Sequence, residues 1–354
     1  MIPDFQKFNR NGSCVSKVSL LLLLLFGMFE NPIYAQDVAD SAYYVTFPDQ
    51  LITRIYTSRK YTEFNIRDRV SDQNIKFEPN STMNLGLGAT YNGLTLNVAY
   101  GFGFLNPDKG TGDSKYLDLQ AHAYPKNLVI DLFLQFYRGY YADLGEFSTA
   151  EEPFLLLPNM RARKIGTNVQ YLFNGDKISL RAAFLQSEWQ KRSAGSPFVG
   201  FELYGGTASN DEPFLPQGFL STEDRNFDVT RYFQFGPNVG YVHTFVILKH
   251  FFITGYASTN LSLGQQRLFF EDGSQQKWGV SSNLFLRGFV GYNSERWSIN
   301  ANYVHNRVNM IRNNDFDNSM LTGNYRINFV YRISPSRKLK PYLDAVDLKR
   351  LLLR

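Results

Sequence analysis

One stretch of the chain alternates apolar residues with small or polar ones so regularly that it restricts the fold. In residues 83–104, MNLGLGATYNGLTLNVAYGFGF, apolar side chains occupy every second position on both sides of an Asn-Gly pair. Asn92 and Gly93 both tolerate positive φ, which suits the two-residue turn of a β-hairpin. The opposite face carries mainly Gly, Asn and Thr, which are too small and polar for the core of a soluble sandwich. The pattern predicts a hairpin with one face toward lipid and one toward a barrel lumen.

The same unit recurs along the chain, with connections that alternate in length. Short turns are predicted at residues 92–93, 125–127, 174–176, 248–250 and 293–295. Longer connections are predicted near residues 68–74, 105–114, 142–160, 267–277 and 309–320. Short turns at one end, long loops at the other and strands of about nine or more residues are typical of outer-membrane barrels. We therefore predict an all-β fold, a closed antiparallel up-and-down transmembrane β-barrel over residues 51–333. About twelve strands are expected, one of them at residues 178–189, with fourteen strands as the alternative.

The start of the chain predicts export. Lys7, Arg10 and Lys17 precede an apolar stretch at residues 18–29, which is too short for a transmembrane helix and is followed by a small-residue cleavage signal ending at Ala35. We predict a signal peptide at residues 1–35, a periplasmic segment at 36–50 and a periplasmic tail at 334–354. Cleavage would remove Cys14, the only cysteine, and would leave no disulfide or thiolate site. The expected location is the outer membrane of a Gram-negative envelope.

Composition agrees with a membrane barrel. The 22 Tyr and 31 Phe residues supply material for aromatic girdles at two membrane interfaces. The formal net charge of +5 is modest and the basic residues are scattered, so no nucleic-acid partner is expected. On composition alone, the main alternative is a soluble carbohydrate-binding β-sandwich.

Several segments resemble a known family of exported proteins. They include LITRIYTSRKYTEFNIRD at residues 51–68, the hairpin region at 77–108 and YLDLQAHAYPKNLVIDLFLQFYRGYY at 116–141. The tetrapeptide at residues 193–196 and Gly240-Tyr241 belong to the same succession. Together they resemble the uncharacterised family called domain of unknown function 4421, over nearly all of the mature chain. The resemblance implies an outer-membrane barrel with no assigned activity or ligand, so it supports the fold and supplies no site.

The charged residues on the predicted lumen face are the candidates for a ligand site. They are Asp118, His122, Asp131, Arg181, Arg287, Arg326 and Arg332. Charges inside a barrel are tolerated only when they are paired or hydrated. The sequence leaves two interpretations open: a salt-bridge and amide network that braces a closed barrel, or a narrow polar conduit or ligand pocket.

An enzyme is not expected. His122 shares a strand face with Asp118, as the base of a lipid hydrolase would require, but it lies near the 125–127 turn and no His-x-Ser motif occurs. The short acidic cluster of Asp315 and Asp317 lacks the spacing of a calcium loop. We therefore predict no catalytic residue, no metal and no cofactor, and keep a lipid hydrolase as the less favoured alternative.

The expected partners are the lipids of the outer membrane and an envelope protein. Residues 142–160 include the apolar stretch PFLLLPN, and the tail carries a weakly helical stripe of Leu343, Val346 and Leu351. Either segment could contact an envelope protein. The predicted function is a non-enzymatic conduit, ligand-binding or structural protein of the envelope, with a subunit of a larger envelope complex as the alternative.

Overall fold

The computed structural model describes residues 42–47, 50–91, 94–145, 153–215, 226–313 and 315–345. The predicted signal peptide, the 92–93 turn, Val346 and Leu351 lie outside these residues. The strands are β1 (Tyr44–Thr46), β2 (Leu51–Asp68), β3 (Asn74–Glu78), β4 (Asn84–Tyr91), β5 (Leu94–Tyr100), β6 (Lys115–Ala123), β7 (Leu128–Asp143), β8 (Phe154–Leu172), β9 (Glu188–Gln190), β10 (Ala194–Ser209), β11 (Val229–Ile247), β12 (Phe251–Asn260), β13 (Ser262–Phe270), β14 (Gly273–Ser281), β15 (Leu284–Asn293), β16 (Trp297–Asn309) and β17 (Phe316–Ile333).

Antiparallel pairing closes ten of these strands into a ring. Their order is β10, β8, β7, β3, β2, β17, β16, β15, β12 and β11, and the β10–β11 pairing completes the circle. β2 and β17, the first and last strands of the wall, pair along their whole length, from Leu51 opposite Ile333 to Asp68 opposite Phe316. The predicted closed antiparallel barrel is therefore confirmed, and the pairing of the two terminal strands is as expected.

The remaining strands extend this ring. β4 pairs with β2 and β5, β6 pairs with β7, β13 pairs with β11, and β14 pairs with β13. The expected twelve strands are obtained in the following way. β5 and β6 count as wall strands, and each of three pairs counts as one interrupted strand: β3 with β4, β12 with β13, and β14 with β15. The hydrogen-bonded ring itself contains ten because β3 reaches β7 directly, at Phe77 opposite Ala142 and Glu78 opposite Tyr141.

Three local predictions are wrong. Residues 267–277, predicted as a long connection, contain only a two-residue turn between β13 and β14. Residues 178–189 do not form a wall strand but contain a π-helical turn, Arg181–Leu185, followed by β9, which pairs with β1 in a separate small sheet. The strand that takes its place in the wall is β10. The apolar stretch within residues 142–160 does not belong to a loop, because β8 already begins at Phe154.

The barrel has one end with long connections and one with short turns, as predicted. We call these the long-loop end and the short-turn end. At the short-turn end, residues 248–250 join β11 to β12, and Leu248 and Lys249 adopt φ of 52° and 65°. Both dihedrals lie in the left-handed region that favours Gly or Asn. The tail also returns to this end, where Tyr91 Oη donates a hydrogen bond to Asp344 Oδ1 at 2.8 Å in helix α1 (Lys340–Ala345).

Alternation along the strands separates an apolar outer surface from a buried interior. Outward side chains such as Leu96, Val98, Ile165, Val239 and Ile327 are each more than half exposed. They form a broad apolar band around the wall, with rings such as Tyr331 and Trp297 toward the short-turn end. Among the residues that the structure describes, no helix is both long and apolar enough to cross a membrane.

Candidate functional site

The interior of the barrel is filled by side chains in layers. At the long-loop end, five buried phenylalanine rings pack together with centroids 5.2 to 6.1 Å apart: Phe64, Phe77, Phe214, Phe227 and Phe316. In the middle, fully buried Lys164 donates to Asn306 Oδ1 and Thr322 Oγ1, both at 3.0 Å. Glu202 accepts hydrogen bonds from the amides of Asn238, Asn260 and Asn283. The interior is therefore a packed and largely hydrogen-bonded core, not a wide water-filled lumen.

The short-turn end is occupied by residues 178–190, which we call the plug segment. Inward side chains from several strands hold its backbone: Arg54 and Asn300 donate to the carbonyls of Leu185 and Ala183, and Arg332 donates to Gln186 O at 2.8 Å. The ring of Phe184 stacks on Phe289 at 4.4 Å between centroids. The sequence pattern looked like a strand because its apolar side chains alternate, but they are buried by the barrel around them.

Three of the predicted lumen residues form one buried network. Asp131 is fully buried and forms an ion pair with Arg287, whose guanidinium also donates to Tyr124 Oη. The other carboxylate oxygen of Asp131 lies 2.7 Å from His122 Nδ1. Among the described side chains, no serine hydroxyl is hydrogen-bonded to His122, so the nucleophile of a hydrolase is not placed beside this pair.

The other predicted residues are distributed over two regions. Arg181 donates to Tyr124 O at 2.9 Å and, with Arg332, holds the plug segment in place. Asp118 and Arg326 lie nearer the middle of the wall. Asp118 accepts hydrogen bonds from Gln135 and Tyr137 and pairs with Lys60 Nζ at 3.5 Å. The seven candidates therefore do not converge on one centre.

The wall has a break in strand pairing between β5 and β6, which we call the side opening. In the described structure, β5 pairs only with β4 and β6 pairs only with β7, so the two facing strand edges share no ladder. Above the opening, hydrogen bonds join residues 79–83 to 112–116, including Thr82 Oγ1 to Tyr116 Oη at 2.7 Å. On the outside the opening is bordered by exposed apolar side chains: Leu96, Val98, Tyr100, Leu117 and Leu119.

Three cations lie on the inner face of the wall. Arg54, Lys60 and Arg326 all belong to the inward faces of β2 and β17. Two glycines of β4 make room for them, because a Cβ at Gly88 would overlap Arg54 and Asn97, and a Cβ at Gly86 would overlap the Tyr56 ring. The small face of the first hairpin therefore accommodates long side chains from its neighbour. We call Arg54, Lys60 and Arg326 the inner cation cluster.

The inner cation cluster has too few anionic partners within the described structure. Lys60 pairs with Asp118, but neither arginine forms an ion pair with a described residue. Arg54 Nη2 donates to Thr90 Oγ1 at 2.5 Å, whereas the guanidinium of Arg326 stacks 4.0 Å above the Tyr56 ring and its buried Nε has no hydrogen-bond partner. A buried guanidinium without an anion is costly, so an anionic group beside Arg54 and Arg326 would be stabilised.

Arg54 and Lys60 were not among the residues predicted from the sequence. Both occupy even-numbered positions of β2, together with Tyr56 and Ser58, and the period-two alternation of that strand could have identified them. In the acidic cluster of the 309–320 region, Asp317 has cationic neighbours. It lies 3.5 Å from Arg312 and 4.0 Å from Arg69.

Comparisons with known proteins add a family and a set of distant structural likenesses. The chain is similar to the toluene transporter TodX of Pseudomonas putida, at 6% identity and a TM-score of 0.26, with 82% of this chain and 92% of that chain covered. It is also similar to the translocator domain of the autotransporter NalP from Neisseria meningitidis, at 9% identity and a TM-score of 0.33, with 91% and 98% covered. At these scores neither likeness informs function.

No curated protein matches the chain. One family model does, and it covers residues 38–333, which include every wall strand of the barrel. The segments that carried the resemblance in the sequence lie within this range. The chain therefore belongs to the family described as domain of unknown function DUF4421.

Proposed function

We propose that this chain is an outer-membrane barrel that binds an anionic amphiphile, and that the ligand enters from the bilayer through the side opening. The single observation that carries the proposal is the inward-facing guanidinium of Arg326, which forms no ion pair with a described residue and whose buried Nε has no hydrogen-bond partner. In this role the protein is a ligand-binding protein of the envelope and not an enzyme.

The location follows from the outer surface. Exposed leucine, valine and isoleucine side chains surround the wall, and in water such a band would be an aggregation surface. In a bilayer the same band is in contact with lipid, and closure of the ring pairs the edges of the two terminal wall strands, β2 and β17. Export by the predicted signal peptide, cleaved after Ala35, and insertion into the outer membrane form part of the proposal.

The ligand class follows from the two sides of the opening. Outside, apolar side chains such as Val98 and Leu119 would accompany an acyl or other apolar chain. Inside, the inner cation cluster would receive a carboxylate or phosphate, with Asn97 available as an amide donor or acceptor. A molecule with an apolar body and an anionic head satisfies both regions at once.

The filled interior favours binding over passive conduction. The plug segment occupies one end, and the phenylalanine layer occupies the other. A solute would have to displace both layers to cross the barrel along its axis, whereas the side opening gives access to the interior without such a displacement.

The free strand edges support a second candidate. Unpaired backbone groups within a bilayer cost several kcal/mol each, and a strand donated by an envelope partner would satisfy the edges of β5 and β6. In this role the chain would be a subunit of a larger envelope complex. Such a partner would block the side opening, which separates the two candidates experimentally.

The test measures binding of a fluorescent dodecanoate, with its carboxamide as the uncharged analogue, to the barrel purified in neutral detergent. We expect the carboxylate to bind at least about tenfold more tightly than the carboxamide, because a charge-assisted hydrogen bond is the stronger one. Arg326→Gln should remove this preference. The matched control is Arg181→Gln, which changes the same residue type at a partly exposed site in the plug segment, where Arg181 already has Glu188 as an anionic partner.

A second experiment measures uptake of the carboxylate after the side opening has been blocked. Cysteines at Val98 and Leu119, placed on the two facing strands, are joined with crosslinkers of graded length, and uptake of the carboxylate should then fall. Equal affinity for the two probes, or unchanged uptake after crosslinking, would refute entry of an anionic amphiphile through the wall. A co-purified protein that loses contact with the crosslinked barrel would instead support the second candidate.

A further inference from the structure

A row of arginines crosses the outside of the barrel wall, on the opposite face of the strands from the interior. Its members are Arg138, Arg161, Arg163, Arg231 and Arg267. The strand registers make them lateral neighbours: Arg138 lies opposite Arg161, and Arg231 lies opposite Arg267. Thr207 lies between Arg163 and Arg231. All five arginines are exposed. We call this set the outer arginine row.

The outer arginine row lacks counter-charges within the protein. In the part of the chain that the structure describes, none of the five forms an ion pair. Arg231 and Arg267 instead lie over the same ring, 4.8 and 4.9 Å from the centroid of Phe269. Like charges directly opposite each other in a sheet are destabilising, so an anion outside the protein is the partner that would make this arrangement favourable.

The row also borders the apolar band. On β8, Arg163 is followed two positions later by Ile165, and on β11, Arg231 is followed two positions later by Phe233, both of which are exposed. On β13, Leu263 is exposed and Arg267 lies four positions farther toward the long-loop end. These three arginines therefore stand on the long-loop side of an exposed apolar residue.

We infer that the outer arginine row binds the phosphate groups of lipids in the surrounding leaflet. A phospholipid or glycolipid whose chains lie along the apolar band would bring its phosphate to the level of the guanidinium groups. Arginine is suited to this role because its planar donor fork matches phosphate oxygens. Several arginines in one row would order such lipids along β7, β8, β11 and β13. This inference does not depend on the proposed interior ligand.

The experiment counts lipids bound to the purified barrel by native mass spectrometry in neutral detergent. The probes are phosphatidic acid and diacylglycerol with identical chains, which differ only in the phosphate, and inorganic phosphate as the soluble competitor. We expect phosphatidic acid to be retained at least about tenfold more strongly than diacylglycerol, since each arginine near an anionic lipid surface contributes appreciably. The triple variant Arg163→Gln, Arg231→Gln, Arg267→Gln should lose this preference.

The matched control is the triple variant Arg67→Gln, Arg69→Gln, Arg312→Gln. It removes the same charge at the long-loop end, but each of these arginines already lies within 4.0 Å of Asp72 or Asp317. It should retain phosphatidic acid within about twofold of the native chain. The single variant Arg231→Lys, which keeps the charge, should retain most binding and shows that an effect does not arise from misfolding.

Three outcomes would overturn the inference. They are equal retention of the two lipids by the native chain, equal loss in the row variant and the control, and displacement of phosphatidic acid by millimolar inorganic phosphate. The last result would indicate a site for free anions. In the absence of anionic lipid, the row variant should be at least as heat-stable as the native chain, because it relieves cross-strand repulsion.

Discussion

Replacing Arg287 by Gln should destabilise the barrel by about 3 kcal/mol, because it would leave the carboxylate of Asp131 in the interior without its cation. The side chains of Arg287 and Asp131 are 3% and 0% exposed, so water cannot replace the lost partner. Loss of one partner from a buried pair generally costs about 3–5 kcal/mol. The lower end applies here, since His122 and Asn168 still contact the carboxylate. Such a change shifts the unfolding equilibrium by about a hundredfold.

Urea unfolding in lipid vesicles measures this difference through the fluorescence of Trp189, Trp278 and Trp297, the chain's three tryptophans. The matched control is Arg181→Gln. Arg181 is 43% exposed and its carboxylate partner Glu188 is 3.5 Å away, so the change should cost at most about 1.5 kcal/mol.

The double variant Asp131→Asn, Arg287→Gln should recover most of the loss, because it removes both buried charges together. The reasoning fails if Arg287→Gln costs no more than Arg181→Gln. It also fails if the double variant is less stable than Arg287→Gln alone, because the uncompensated carboxylate would then not be the cause.

Three further changes test the wall and its ends. Leu132→Arg, on the outer surface of β7, should cost about 2–4 kcal/mol in a bilayer and lower the heat-modifiable fraction on gels, while Leu132→Asn should cost less. Replacing Leu248 and Lys249 by Asn and Gly should stabilise the turn by about 1 kcal/mol in urea unfolding, since both residues have positive φ; a loss of stability would contradict this. A chain that ends at Ser334 should still assemble, whereas one that ends at Tyr325 should not, because it lacks half of β17; protease resistance in membranes distinguishes the two.

The sequence predicted those parts of the fold in which one face of a strand meets lipid and the other meets the interior. The β4–β5 hairpin and β17 show this alternation clearly, and the hairpin occurs where it was expected. The plug segment could not be recognised in this way. Ala182 and Ala183 lie inside the barrel, where a turn of helix is surrounded by protein on all sides, so its apolar pattern does not reveal a strand or a helix.

The candidate site was predictable only in part. Asp118 and Arg326 were identified because their strands alternate, and Arg54 and Lys60 could have been identified on β2 by the same argument. The missing pairing between β5 and β6 has no signature in either strand, since each alternates as a paired strand would. The strand edges that face each other across the opening are set by the register of β3 against β7. This register rests on two residue pairs, and no local sequence pattern specifies them.

The long β2–β17 seam also constrains how this barrel can form. A contact such as Thr53 with Tyr331 joins positions 278 apart in the chain, so the ring cannot close until the final strand has been delivered. Folds dominated by contacts of such high sequence separation form slowly, and their strand edges are prone to aggregation until they are paired. Nearly the whole polypeptide must therefore remain unfolded and protected until β17 is available, and a chain shortened at its C-terminal strand would be a substrate for proteolysis.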